Sequence, residues 1–347
     1  MSVFGTLPQE SRRRIFEEVG SRLGLPPHSI EKDYWVSIIL NALFSIPELK
    51  TRLTFKGGTS LAKVFHLVKR FSEDVDLVVE RGSLGFSGGR DPEAASTKSA
   101  RKRLSEQLKA ACADHVSIVI EPALKERLLA MSVPKPIELA IDDADRDRQT
   151  LLVQYPTVLK STSQLYVPPR VKLELGARSG DEPVLLGEIK SFVEEAFPDL
   201  SSGPPARIRT LDPRRTLLEK CLLLHEEHHR PKEKASKMRL ARHLYDASCL
   251  IQSGIGREAV RDTDLFSRVL RNREAMFGYS WMDYSTLRLD TLDLIPPGDT
   301  LASWRNDYEE LAREMIYGEP PSFDEMIDKL RQFEHSLKSR KENEQWH

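Results

Sequence analysis

The sequence predicts an α+β fold, with a small mixed sheet flanked by helices over residues 1–205 and a helical region over 206–347. Three observations carry this. Short β-branched segments alternate with amphipathic helical patterns as far as about residue 205. A Ser-Ser-Gly-Pro-Pro run at 201–205 reads as a linker. Beyond it, apolar residues recur at helical spacing. A chain of 347 residues, 39% hydrophobic and 30% charged, is long enough for two cores.

The elements follow in order. Residues 10–23 form an amphipathic helix halted by Gly24 and by Pro26-Pro27. Ser29 caps a second helix that runs through Trp35, Ile38, Ile39 and Leu43. A strand at 52–56 is broken by Gly57-Gly58, and a helix is predicted over 59–69, with Leu61, Val64, Phe65 and Val68 as its apolar face. A strand follows at 74–80, then a glycine-rich loop at 82–89 and a polar helix at 92–113. Further strands are expected at 116–121, 150–158, 170–175 and 184–189. Pro213 opens a helix through Leu217, Leu218 and Leu222, and another helix is expected over 236–251.

Composition narrows the function classes. No apolar run reaches eighteen residues, so no membrane span is expected, and the N-terminus lacks an apolar leader. Cys112, Cys221 and Cys249 stand far apart, which fits a reducing cytoplasm and argues against a disulfide or cysteine–zinc framework. Net charge is −1, yet residues 207–246 hold eleven Lys/Arg against six Asp/Glu, with four histidines. Such a local excess is a candidate phosphate footprint, although a solvated helix face gives the same pattern.

The chemistry concentrates in Gly57-Gly58-Thr59-Ser60 and in Asp74-Val75-Asp76. Two glycines between a strand and a helix let backbone N–H groups approach a phosphate, and Thr59 and Ser60 add hydroxyl donors. Asp74 and Asp76, two apart in a strand, project to one face. Paired hard oxygens on one face suit Mg²⁺, with Mn²⁺ as an alternative, and triphosphate oxygens complete the shell. The strand Val171-Lys172-Leu173-Glu174 offers a third carboxylate, Glu174, beside a cation, Lys172, for phosphate or proton transfer. A lone Gly-Gly is usually a turn and a lone Asp-x-Asp usually a surface pair. Their combination in this order is much rarer.

The run FKGGTSLAKVF…RFSEDVDLVV resembles the AbiEii/AbiGii nucleotidyltransferase toxins, a group that includes the MenT enzymes and shares the polymerase-β arrangement. Ile30 to Val36, Leu218-Glu219-Lys220 and Arg242-His243-Leu244-Tyr245-Asp246 resemble the flanking signatures of the same family. The resemblance implies a polymerase-β-like nucleotidyltransferase lobe plus a helical C-terminal lobe. It also implies transfer of a nucleoside monophosphate from NTP to an acceptor, of which the 3′ end of tRNA is the first candidate, with release of pyrophosphate. A neighbouring antitoxin and a part in phage defence belong to the same expectation. Lys220, Lys237, Arg239, Arg242 and Asp246 are then candidates for holding the nucleotide, set against a plain Arg242–Asp246 surface salt bridge. Asp74, Asp76 and Glu174 are the candidate metal ligands. The charged stretch 81–149, with Asp142-Asp143-Ala144-Asp145-Arg146-Asp147, departs from the family pattern.

Two alternatives come from other chemistries. A kinase-like or protein-modifying enzyme would use the same acids on another acceptor or another phosphorus. His225-Glu226-Glu227-His228-His229 matches the H-E-x-x-H pattern of a zinc hydrolase, with no evident third ligand downstream.

Overall fold

A computed structural model describes residues 4–72, 74–159, 168–201, 204–234 and 239–344. The chain divides into two compact units. The first comprises residues 1–65 and 71–211, and the second comprises 66–70 and 212–347.

The first unit opens with α1 (Gln9–Leu23) and α2 (Pro27–Ser45). Strand β1 (Leu53–Lys56) runs directly into α3 (Gly57–Lys63), and β2 (Asp74–Val79) follows. Helices α4 (Lys98–His115) and α5 (Glu121–Ala130) lead to β3 (Glu138–Ile141), β4 (Thr150–Gln154), β5 (Arg170–Gly176) and β6 (Val184–Gly187). A short α6 (Phe192–Ala196) precedes β7 (Ile208–Leu211). The strands form one mixed sheet in the order β3-β4-β5-β2-β1-β7-β6. Strand β2 lies antiparallel to β1 and parallel to β5, so the predicted acid-bearing strands are neighbours.

Alternation makes these strands. Val75 and Leu77 of β2, and Val171, Leu173 and Leu175 of β5, are buried, whereas the charged residues between them are part-exposed. Helix α2 is buried nearly all round, including Glu31, Lys32 and Asp33. Asp33 explains why a charge is kept there. It pairs with Lys63 of α3 at 2.8 Å and accepts the N–H of Phe192 at 2.7 Å, while Lys63 Nζ lies 4.4 Å from the centre of the Phe192 ring. The acid of the N-terminal signature thus anchors the short helix that follows Gly57.

Several boundaries differ from expectation. Residues 116–121 form no strand. Val116–Ile120 is a single wide helical turn joining α4 to α5, with Val116 and Ile120 buried and Ile118 71% exposed. Burial four residues apart is helical, and the β-branched composition misleads. Helix α3 ends at Lys63, well before residue 69. Strands β3 and β7 were not expected, and β7 carries sheet structure to Leu211. The segment 81–149 supplies α4, α5 and β3. Its acidic loop is organised by Asp145, which accepts hydrogen bonds from the Asp147 and Gln149 N–H groups and from the Thr150 hydroxyl.

The second unit is helical: α7 (Pro213–His228), α8 (Ala241–Gln252), α9 (Ile255–Ala259), α10 (Thr263–Phe277), α11 (Leu301–Glu314) and α12 (Phe323–Glu344). Residues 66–70 join it, with a bridge between Arg70 and Ile316. No helix among the described residues is long and apolar enough to cross a membrane.

Candidate active site

In the first unit the register brings the predicted acids together. Asp76 of β2 is the partner of Glu174 of β5, and Asp74 is the partner of Lys172. On the other side, Asp76 is the partner of Lys56 of β1. Residues paired across strands project to the same face, so Asp74, Asp76, Glu174, Lys56 and Lys172 share one face of the sheet. Three carboxylates and two ammonium groups therefore sit within one patch. Lys56 was not among the predicted site residues; the signal was its position directly before Gly57-Gly58.

The lysines balance the acids. Lys172 Nζ donates to Glu174 Oε1 at 2.5 Å. Partial burial works against its charge, but Glu174, Asp74 and Asp142 outweigh it and hold the ammonium above its ordinary value. Asp142, from the charged stretch 81–149, thus acts on the patch. Lys56 Nζ donates to Ser179 Oγ at 2.8 Å.

Gly57 lies against this patch at φ +80°, and a Cβ built on it would stand 1.9 Å from Asp76 Oδ2. Both the backbone angle and the approach of the carboxylate demand glycine. The two hydroxyls expected to face a phosphate are used internally. Thr59 Oγ1 donates to the Asp74 carbonyl at 2.5 Å, and Ser60 Oγ to the Gly57 carbonyl at 2.8 Å, both buried. They lock the Gly57 turn and the start of β2 to each other, and the expectation of free donors is corrected accordingly.

The second unit holds the C-terminal candidates. Asp246 of α8 is fully buried and pairs with Lys220 of α7 at 2.8 Å. It also accepts two bonds from Arg70, at 2.7 and 2.9 Å. Burial alone would raise this carboxyl, yet Arg70 and Lys220 hold it well below the usual carboxylate range. Lys220 is lowered, first by burial, and its Nζ lies 3.5 Å from His243 Nδ1. The alternative of an Arg242–Asp246 surface pair is overturned, because both partners of Asp246 are other residues. Arg242 lies in the first turn of α8, and its Nε is buried without a hydrogen-bond partner. Arg239 is not on that helix: it precedes Ala241 with φ +60°. Lys237 falls outside the described residues.

The zinc-hydrolase alternative fails on its base. Glu226 is buried, bonded to the Arg273 guanidinium and to the Tyr284 hydroxyl, the latter at 2.8 Å. Both of its carboxylate oxygens are engaged by these contacts.

The acid patch and the strand–Gly-Gly–helix turn lie within the stretch that a family model matches. The family model of the nucleotidyl transferase AbiEii toxin of type IV toxin–antitoxin systems matches residues 38–329. The chain belongs to this AbiEii family. It is a nucleotidyltransferase of toxin type, and membership implies an NTP substrate and an antitoxin partner. Among solved structures, the chain is similar to MenT4, a nucleotidyltransferase toxin from Mycobacterium tuberculosis. The identity is 16% and the TM-score 0.39, over 95% of this chain and 98% of that one. It is also similar to JHP933 from Helicobacter pylori, at 14% identity and TM-score 0.35, over 91% of this chain and 99% of that one. No curated protein matches the chain.

Proposed function

We propose that this AbiEii-family protein transfers a nucleoside monophosphate from NTP to an RNA acceptor in the cytoplasm, with the 3′ end of tRNA as the first candidate. The observation that carries the reading is the registered pairing of Asp76 with Glu174 and of Asp74 with Lys172 on one sheet face. Three hard oxygen donors so placed fit a divalent cation such as Mg²⁺ or Mn²⁺ better than a soft metal, and Asp74, Asp76 and Glu174 are the residues that would hold it. Such an ion, when bound, supplies charge neutralisation at the reacting phosphate.

The chain's own residues do the rest. Gly57 and Gly58 offer backbone N–H groups to the phosphates, with the turn held by Thr59 and Ser60. Lys56 and Lys172 add positive charge beside them. In this reading Glu174, hydrogen-bonded to Lys172, either completes the ligand set of the ion or accepts the proton of the attacking hydroxyl. That oxygen forms a bond to the α-phosphorus, the bond to the bridging oxygen breaks, and pyrophosphate departs. Positioning and charge neutralisation account for most of the acceleration in such reactions. Lys220, Arg70 and Asp246 form a buried charged group in the second unit.

The test is incubation with each α-labelled NTP, Mg²⁺ and total RNA, with a γ-labelled series run alongside. Label from the α-position on a tRNA-sized band is expected. Transfer of γ-label instead would replace this reading with the kinase-like one, and α-label on protein alone would remove RNA as acceptor.

A further inference from the structure

The H-E-x-x-H run, stripped of its hydrolase role, keeps two imidazoles that the nucleotidyl-transfer reading does not use. His225 and His229 lie one turn apart at the C-terminal end of α7, with ring centres 4.5 Å apart. The third ligand that the sequence did not reveal comes from the segment after α10. Asp293 Oδ2 lies 3.0 Å from His229 Nε2 and 3.9 Å from His225 Nδ1. One ligand atom from each of the three residues falls within 4.8 Å of the others. Donors around a zinc ion, at bonds of about 2.0–2.2 Å, stand roughly 3–4 Å apart.

We propose that His225, His229 and Asp293 form a transition-metal site, with Zn²⁺ as its natural ion, that ties the end of α7 to the segment around residue 293. Two imidazoles, which are borderline donors, joined by one carboxylate suit zinc and suit poorly the magnesium expected at the three carboxylates of the first unit. The two oxygens of Asp293 divide the work: Lys338 Nζ sits 3.3 Å from Oδ1, which leaves Oδ2 turned to the histidines. The Nδ1 of His225 at present accepts the N–H of Asp293 at 2.9 Å, and this is the hydrogen bond that the ion displaces. His229, at 43% side-chain exposure, is the ligand free to turn and complete the set.

The role is structural. A hydrolytic zinc centre of the H-E-x-x-H type uses the glutamate of the motif to take a proton from bound water, and Glu226 is locked to Arg273 and Tyr284. What the ion gains instead is a cross-link between residues 68 positions apart, His225 and Asp293.

The experiment uses the full chain, freed of metal by chelation and dialysed. Zn²⁺ alone is titrated by calorimetry, uptake is measured by elemental analysis, and Co²⁺ serves as a spectroscopic probe. Wild type is expected to bind one equivalent tightly, and its Tm should rise by about 5 °C at a hundredfold excess over Kd. His229→Ala and Asp293→Asn, both at part-exposed positions, should lose the equivalent and the Tm rise while keeping the wild-type circular dichroism. Asp76→Asn should retain both, which separates this site from the proposed magnesium patch. Absence of stoichiometric uptake by wild type overturns the proposal, as does an undiminished equivalent in both His229→Ala and Asp293→Asn.

Discussion

Gly57 and Asp76 are fitted to each other so closely that no side chain can come between them. A Cβ on Gly57 would stand 1.9 Å from Asp76 Oδ2, and Gly57 holds φ +80°. Gly57→Ala must therefore adopt a left-handed angle, at about 1–3 kcal/mol, and push Asp76 aside. A displacement of about 1 Å at a catalytic group costs roughly a hundredfold in rate. We expect kcat to fall by about that factor or more with the protein still folded. Wild-type kcat in Gly57→Ala would detach Asp76 from the reaction.

Asp74→Asn and Asp76→Asn should each lower transfer by about a hundredfold to a thousandfold, the scale of removing one preorganised electrostatic group. Neither residue is fully buried, and each stands among other carboxylates on its face. Thermal stability should thus stay level or rise. Mg²⁺-dependent protection against thermal unfolding should vanish in both variants. Persistence of that protection would move the ion elsewhere.

Asp246 makes an opposite prediction. It is the acid between two buried cations, Arg70 and Lys220. Removing one partner of a buried ion group leaves uncompensated charge and costs about 3–5 kcal/mol. Asp246→Asn should therefore destabilise the second unit by that order in urea unfolding. The folded-state carboxyl lies well below its unfolded value near 4, so its contribution is present above about pH 4 and is lost as pH falls through the folded value. The variant should accordingly show a flatter acid limb than wild type. A cost under about 1 kcal/mol would mean that Asp246 is not the keystone of this group.

The central motif was legible because its physics is local. Alternation placed Asp74 and Asp76 on one face, and the same rule placed Lys172 beside Glu174. What the sequence alone could not supply was the register that sets Asp76 against Glu174, since the two strands are joined by a long excursion. Arg70 shows the limit most clearly. It stands four residues before Asp74 in the motif run, yet its partner is Asp246, 176 residues away. Strand β7, four residues long, exists through pairing with β1 and β6, and nothing in Ile-Arg-Thr-Leu demands it. The turn at Val116–Ile120 failed in the other direction, because β-branched residues were continued as helix by burial of Val116 and Ile120.

The acceptor can be tested through salt. Residues 228–243 hold six Lys/Arg against one acid, Glu233. Lys232 is 84% exposed, paired only loosely in electrostatic terms with Asp299 at 2.6 Å. Lys234 Nζ sits 3.9 Å over the ring of Trp281, which stacks on Tyr279 at 4.2 Å. Cations beside stacked aromatics are groups that a single strand can use, through its phosphates and its bases. Each phosphate neutralised on a single strand contributes about 0.7 to the slope of log affinity against log salt. Lys232→Glu with Lys234→Glu should thus reduce that slope by roughly one to two, raise the KM for RNA, and leave the KM for NTP nearly unchanged. The measurement is RNA and NTP binding for wild type and the double variant across a salt series. An RNA affinity that is flat with salt, or a silent double variant, would leave this stretch as a solvated face and would send the search for the acceptor to another surface.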